Sequence, residues 1–330
     1  MPRAEPISTA SEVELKILER TVRGDTARRV PFFVPGGDME RSVRCLLAWM
    51  NEGEAINALL GRLPGLGEDV QTQRATWEAA RDANNARPAF RPPTAVFEEL
   101  PPELRAAGAA FSQRPDAIAA FQSMEWSVGM ADLHEVLSFQ RIVAEEQSME
   151  RVDAAIRPDD LGSIFSFCLP DPVGRESLPG TVDADQKGIT FSSLNPNLRV
   201  GGMGGSEIDV AIVPGQPATR QNFIGFAINF GSPFVQVAEY NGRWFVRDGY
   251  HRCFGLLRRG ISKVPCVSVR PRSFAELGAM APGFFPYEVL FSDRPPYLRD
   301  FLDDSVAFTT KQAAHRKVVR LRAEEFIVAV

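Results

Sequence analysis

The run Phe234 to Arg270, FVQVAEYNGRWFVRDGYHRCFGLLRRGISKVPCVSVR, constrains the fold more tightly than any other stretch of the chain. Asn241-Gly242 joins two apolar-rich segments, and this dipeptide is the strongest short hairpin signal because both turn residues must take φ > 0. With a two-residue loop, Tyr240 pairs with Arg243, Val237 with Val246 and Val235 with Asp248. Val235, Val237, Trp244 and Val246 then share the buried face. A helical pattern begins directly after Asp248-Gly249: Tyr250, Cys253, Phe254, Leu257 and Ile261 fall on one side, and Gly260 supplies a C-terminal stop. Val264 to Val269 reads as a strand returning to the sheet. The unit is hairpin, helix, strand, with Gly249-Tyr250-His251-Arg252 where strand becomes helix.

That junction carries the candidate chemistry. A tight strand-to-helix turn leaves the first helical N–H groups unpaired, with the positive end of the helix dipole behind them, which makes an anion site. Arg252 can clamp a phosphate through two N–H groups, and His251 can add a donor. Structurally, Arg252 could instead pair with an acidic neighbour while His251 caps the turn. Gly255, one turn on from His251, lets a ligand or a neighbouring backbone approach. Asp248 reads first as the helix N-cap. Beside a phosphate its charge would repel, so a functional Asp248 requires Mg²⁺ or a reaction at a hydroxyl, as metal ligand or as base.

The run VRDGYHRCFGLLRRGISKVPCVSV resembles the core of the ParB/sulfiredoxin superfamily (ParB-like nuclease domain), whose members carry Gly-x-His-Arg or Gly-Glu-Arg-Arg, a short helix and a Val-Pro-containing strand. The match covers residues 234–270. The resemblance implies an α+β domain whose turn, here Gly249, Tyr250, His251 and Arg252, contacts a nucleotide triphosphate or a sulfinate–phosphate intermediate, and hence a nucleotide, with Mg²⁺, or a phosphorylated small molecule as ligand. Relatives of this fold include CTP-hydrolysing switches, kinases of free serine and proposed nucleases, so it implies phosphoryl transfer or phosphodiester hydrolysis. The chain departs from the family at two places. Tyr250 stands where sulfiredoxins have their reactive cysteine, and Cys253 falls on the core side, which disfavours sulfinate reduction. Tyr-His-Arg replaces the Glu-Arg-Arg of ParB, and no helix-turn-helix domain follows Val269, which disfavours CTP specificity and chromosome partition.

At 330 residues the chain is long enough for two domains. Residues 1–157 read as mostly helical. Helices are expected near Thr9–Leu18, from Asp38 with Val43, Leu46, Leu47 and Met50 inward, over Ile56–Leu63, Gln71–Asn84, Pro102–Phe111 and Pro115–Trp126, and from Asp132 to about Val152 with Leu133, Val136, Leu137 and Val143 inward. Val30–Val34 is a short extended run. Residues 158–330 read as the α+β domain, with strands at Phe165–Leu169, Ile189–Ser193, Ile208–Val213, Ile224–Ile228 and in the tail from Val318, and with a capped helix at Ser273. The expectation is thus an α+β protein with a helical N-terminal half.

A net charge of −5 argues against a surface that is wholly a nucleic-acid footprint. Four cysteines without C-x-x-C spacing support neither a metal knuckle nor a disulfide framework, and the N-terminus lacks a signal-peptide core, so a cytoplasmic protein without membrane association is expected. Gly201-Gly202-Met203-Gly204-Gly205 lacks the Lys-Ser/Thr of a phosphate loop and reads first as a plain linker, with a flexible loop or lid over the site as the alternative. His134-Glu135 lacks the second histidine of a zinc-protease helix. Lys311, His315, Arg316, Lys317, Arg320 and Arg322 form the basic patch of note, flanked by Glu324 and Glu325. Trp49, Trp77 and Trp126 read as core or interface residues. Three functions follow as alternatives: a nucleotide-dependent enzyme or switch at Asp248–Arg252, a non-catalytic module whose helical half recruits a protein, and nucleic-acid association through Lys311–Arg322.

Overall fold

The computed structural model describes residues 40–60, 70–157, 160–171, 178, 180–193, 198–210, 219–230, 234–280, 283–313 and 317–327. The elements expected at Thr9–Leu18 and Val30–Val34, the cap at Asp38, Leu63, and His315 and Arg316 lie outside these residues. The chain divides into two compact units, one drawn from Leu178–Phe191 and Arg320–Val330 among the described stretches, the other from Gly37–Ser177 and Ser192–Val319.

The larger unit is α+β. Its helices are α1 (Glu52–Leu59), α2 (Val70–Asn85), α3 (Pro102–Ser112), α4 (Pro115–Phe121), α5 (Glu145–Ala155), α6 (Leu161–Cys168), α7 (Tyr250–Arg258), α8 (Phe274–Leu277) and α9 (Tyr287–Leu290). Local chemistry fixes several starts. Asn51 and Glu54 form a reciprocal capping box on α1, Ser273 caps α8 by accepting from Glu276, and α3 and α4 open on proline, whose missing N–H is no loss there.

The main sheet has the order β2 (Phe97–Glu98), β3 (Glu125–Asp132), β12 (Lys263–Arg270), β10 (Gln236–Tyr240), β11 (Arg243–Asp248), β4 (Leu137–Ser138). β12 is its spine, antiparallel to β3 and parallel to β10, with Val264, Cys266, Val267 and Val269 fully buried. The hairpin, helix and strand of residues 236–270 form in the order read from the sequence. Asn241 and Gly242 take φ of 50° and 71°, and Tyr240 faces Arg243 and Val237 faces Val246. The register then departs from expectation: Asp248 faces Gln236, not Val235, because the ladder shifts between Gln236 and Val237. The shift makes Arg247 the extra residue, and its Nη1 reaches across to Gln236 Oε1 at 2.7 Å.

The sheet takes β2, β3 and β4 from before residue 157 and the rest from after it, so the expected helical half and its boundary at residue 157 do not describe the packing. Two helical expectations are corrected within that half. The stretch from Asp38 gives strand β1 (Glu40–Cys45) and a 3₁₀ turn at Leu47–Trp49. β1 lies between β13 (Phe308–Ala313) and β5 (Ile142–Ala144), and both Val43 and Arg44 are buried, so its periodicity is masked. The helix expected from Asp132 begins only at Glu145. Leu133, Val136, Leu137 and Val143 are fully buried as anticipated, but along two short strands and their turns, and the Asp132 carboxylate accepts the His134 N–H at 3.0 Å in a turn. Conversely, Phe165–Leu169, read as a strand, belongs to α6, started by Asp160 accepting from Ser163. Short apolar runs do not reveal which element they form.

Outside the main sheet, β8 (Leu198–Val210) and β9 (Thr219–Phe230) make a separate two-stranded sheet. It absorbs the Gly201–Gly205 segment read as a linker. The second unit is built around β6 (Gly180–Val182), β7 (Gly188–Ser193) and β14 (Lys317–Arg322), in the order β14-β7-β6. No helix among the described residues is long and apolar enough to cross a membrane.

α5 and α7 touch at Gly255, where a Cβ would lie 2.7 Å from the Ser148 carbonyl oxygen and from Val152 Cγ2. It is thus the neighbouring backbone, not a ligand, that this glycine admits. Gly255→Ala is expected to push the helices apart and lower the denaturant midpoint by the equivalent of about 1–3 kcal/mol at unchanged m-value, measured by urea unfolding.

Candidate functional site

Strand β11 turns into α7 at Gly249, which sits in the left-handed region at φ 89° and occupies the N-cap position. A Cβ there would fall 3.0 Å from Val235 Cγ2 and 3.2 Å from Val235 Cα, so both the dihedral and the approach of β10 require glycine. Asp248 is not the helix cap. Its Oδ1 accepts the N–H of Gly249 at 2.7 Å, and no side chain caps α7. The first N–H groups of the helix are therefore left without side-chain acceptors, the condition for an anion to take their place.

The side chains of the turn are committed in ways their spacing did not reveal. Tyr250 is buried and its hydroxyl donates to the Val246 carbonyl, with burial pushing the phenol well above its ordinary range. His251 accepts the Ala144 N–H on Nδ1 at 3.1 Å, at the N-cap of α5. Burial, with the charges of Arg151 and Arg252 added, holds the imidazole down at about 4. It is neutral at physiological pH, with its proton on Nε2. Arg252 donates through Nη1 to the carbonyls of Phe167 at 3.1 Å and Cys168 at 3.3 Å, the last turn of α6. This is neither the phosphate clamp nor the acidic partner anticipated, but a tie between two helices. Its Nη2 lies 3.4 Å from where a Cβ would stand on Gly249, so the other edge of the guanidinium faces the turn.

Two residues missed in the sequence complete the electrostatics. Arg151 on α5 is pushed down by burial first, then by Arg252 and Arg41, and among the described residues it has no hydrogen bond or ion pair. Arg41 on β1 acts on Arg151 and also on the Glu146 carboxylate. Neither has a local signature, because three separate elements bring these arginines together. The result is a helix N-terminus backed by positive charge.

Other candidates resolve more simply. Cys45, Cys168, Cys253 and Cys266 are all free and buried, and burial raises their thiols, to about 12 for Cys45 and Cys168, the opposite of activation. No group of three His, Cys, Asp or Glu is placed to hold a metal among the described residues. Glu135 pairs with Arg299 at 3.1 Å. In the basic patch, Lys311 pairs with Glu40, Arg320 with Asp183 and Arg322 with Asp185, which offsets the charge a nucleic acid would read. Trp49 and Trp77 donate through Nε1 to the Arg294 and Met50 carbonyls at 2.7 and 3.0 Å, as packing residues.

The imidazole of His251 makes stability depend on pH. The unfolded chain protonates this side chain near 6.5, whereas the folded protein holds it neutral down to about 4, so stability present above pH 6.5 is lost as pH falls toward 4. His251→Gln, which keeps an acceptor without titrating, is expected to flatten that limb of the stability–pH curve by about 2 kcal/mol, measured by urea unfolding from pH 7 to pH 4.5.

Neither family models, curated proteins nor solved structures match this chain.

Proposed function

We propose that the protein binds a phosphate-bearing small molecule, a nucleotide, at the N-terminus of α7. The observation that carries this reading is the placing of Arg252 and Arg151 beside His251 at a helix start with no side-chain cap. Like charges held together in a partly buried place, in front of the positive end of a helix dipole, are unfavourable until an anion joins them. An anion there receives the backbone N–H groups at the start of α7, the Nη2 edge of Arg252 and the guanidinium of Arg151. The resemblance of residues 234–270 to ParB/sulfiredoxin proteins supports the same ligand class. Asp248 is the carboxylate that Mg²⁺ accompanying the nucleotide would use, with phosphate and water oxygens supplying the remaining positions. The Gly249–Arg252 turn is then the binding element, and hydrolysis or phosphoryl transfer would add a step at Asp248.

A second reading, a non-catalytic scaffold for a protein partner, is favoured by one specific observation. Tyr250, His251 and Arg252 already bond backbone groups of β11, α5 and α6, so the turn also works as a staple.

The two readings separate in a thermal-unfolding titration with ATP, CTP, GTP, ADP and inorganic phosphate, with and without Mg²⁺. Ligand at about 100 times its Kd stabilises by roughly 2.7 kcal/mol, a clear rise in Tm. Arg151→Ala leaves the staple bonds intact and is expected to weaken binding by about tenfold to a hundredfold, the loss of one charge-assisted bond. Absence of any shift with millimolar ligand would leave the scaffold reading standing.

A further inference from the structure

Among the described residues, the sheet edges are short or carry charge along their length, except in the two-stranded sheet of β8 and β9. The main sheet ends in β2 and β4, each two residues long; the sheet around β1 ends in the three-residue β5 and in β13, which carries Lys311; the third sheet ends in the three-residue β6 and in β14, which carries Lys317, Arg320 and Arg322. Short strands and lysine or arginine side chains are the devices that keep sheet edges from pairing with another chain. In the two-stranded sheet the charges of β8 (Arg199, Glu207 and Asp209) and of β9 (Arg220, paired with Glu207) lie toward the strand ends, which leaves residues 200–206 of β8 and the longer run 221–230 of β9 without a charged side chain. Among the described residues its outer edge pairs with nothing.

The side chains point the same way. The register sets Met203 opposite Phe226, Gly205 opposite Ile224 and Val200 opposite Ile228, so these residues share one face. On it Val200, Met203, Ile224 and Phe226 are 46, 72, 64 and 44% exposed. A two-stranded ribbon with an apolar face is marginal in water until something covers it.

We propose that β9 is an assembly edge that pairs antiparallel with β9 of a second copy of this chain, about a two-fold axis at Gly225. The choice of a second copy rests on charge and register. The uncharged run 221–230 carries no code for an acidic or basic partner, and about Gly225 the one charge of β9, Arg220, faces Phe230 of the other copy, so the strand meets its own copy without repulsion. About Gly225, Ile224 faces Phe226 and Phe223 faces Ala227 of the other copy, an aromatic–β-branched pair and a large–small pair, both repeated by the symmetry. Because Ile224 and Phe226 lie on the same face, the pairing runs the apolar stripe unbroken across four strands. An edge of this length buries less than the ~800 Å² per partner of a standard interface, so the dimer dissociates on dilution.

Gly225 provides the test, because only self-pairing brings two copies of one position face to face. A Cβ there would lie 3.2 Å from the ring of Phe223, which is 52% exposed and has room to give way, and 4.0 Å from the Gly204 carbonyl, while opposite it Gly204 has nothing within 4 Å. Sedimentation velocity of the full chain over a dilution series is expected to show a reversible monomer–dimer equilibrium. Gly225→Lys and Gly225→Glu are each expected to weaken the dimer about fivefold or more, the effect of ~1 kcal/mol of like-charge repulsion, most strongly at low salt. Mixing the two variants is expected to restore it as a heterodimer. A chain that stays monomeric at every concentration, single variants that associate like the parent, a mixture no better than either variant, or a monomer that instead floats with phospholipid vesicles would each overturn the proposal.

Discussion

The candidate site depends on the chain reversing from β11 into α7 within one residue. Gly249 permits it by adopting φ 89° and by leaving Val235 of the neighbouring strand at van der Waals range. A slower turn would displace His251 from the start of α5 and Arg252 from the end of α6. The guanidinium of Arg252 is then shared between opposite helix ends: Nη1 serves the carbonyls that close α6, where the dipole is negative, and Nη2 faces the opening of α7, where it is positive. The first contact is favourable by itself. The second sets Arg252 and Arg151 against a positive helix end with the Asp248 carboxylate as the acid of the turn, and an anion seated there would add a further favourable contact, which is the physical reason to look for a ligand here.

The chemistry open to the site is bounded by the same burial. Desolvation raises the thiols of Cys168 and Cys253 and the phenol of Tyr250 and lowers the imidazole of His251, so these groups are neutral at physiological pH. None is poised as an activated nucleophile. Binding through permanent charges and backbone dipoles is what remains, with Asp248 as the nearby ionisable oxygen.

The unit from residues 236 to 270 was legible in the sequence because each of its signals is local: Asn-Gly fixes the turn, the helical spacing of Tyr250 to Leu257 fixes the inward face, and Gly260 at φ 78° ends the helix. The bulge at Arg247 was not, since it depends on the bond to Gln236 across the ladder. Residues Leu133 to Val143 show the limit of periodicity: their burial was read correctly and their element was not, because two short strands in separate sheets, with the turns between them, bury the same side chains as a helix face. At the candidate site, the motif pointed to the turn, but not to the partners that its side chains take in the structure. Ala144, Phe167 and Cys168 contribute backbone groups, which leave no trace in residue type, and Arg151 reaches the turn from another element.

The most direct measurement is an amide-resolved NMR titration of the ¹⁵N-labelled protein with nucleotide and Mg²⁺. An anion seated at the start of α7 is expected to move the amide protons of Tyr250, His251 and Arg252 downfield, together with the side-chain Nε–H of Arg151. Saturation of any ligand effect with those amides unmoved would contradict the assignment of the site to this turn.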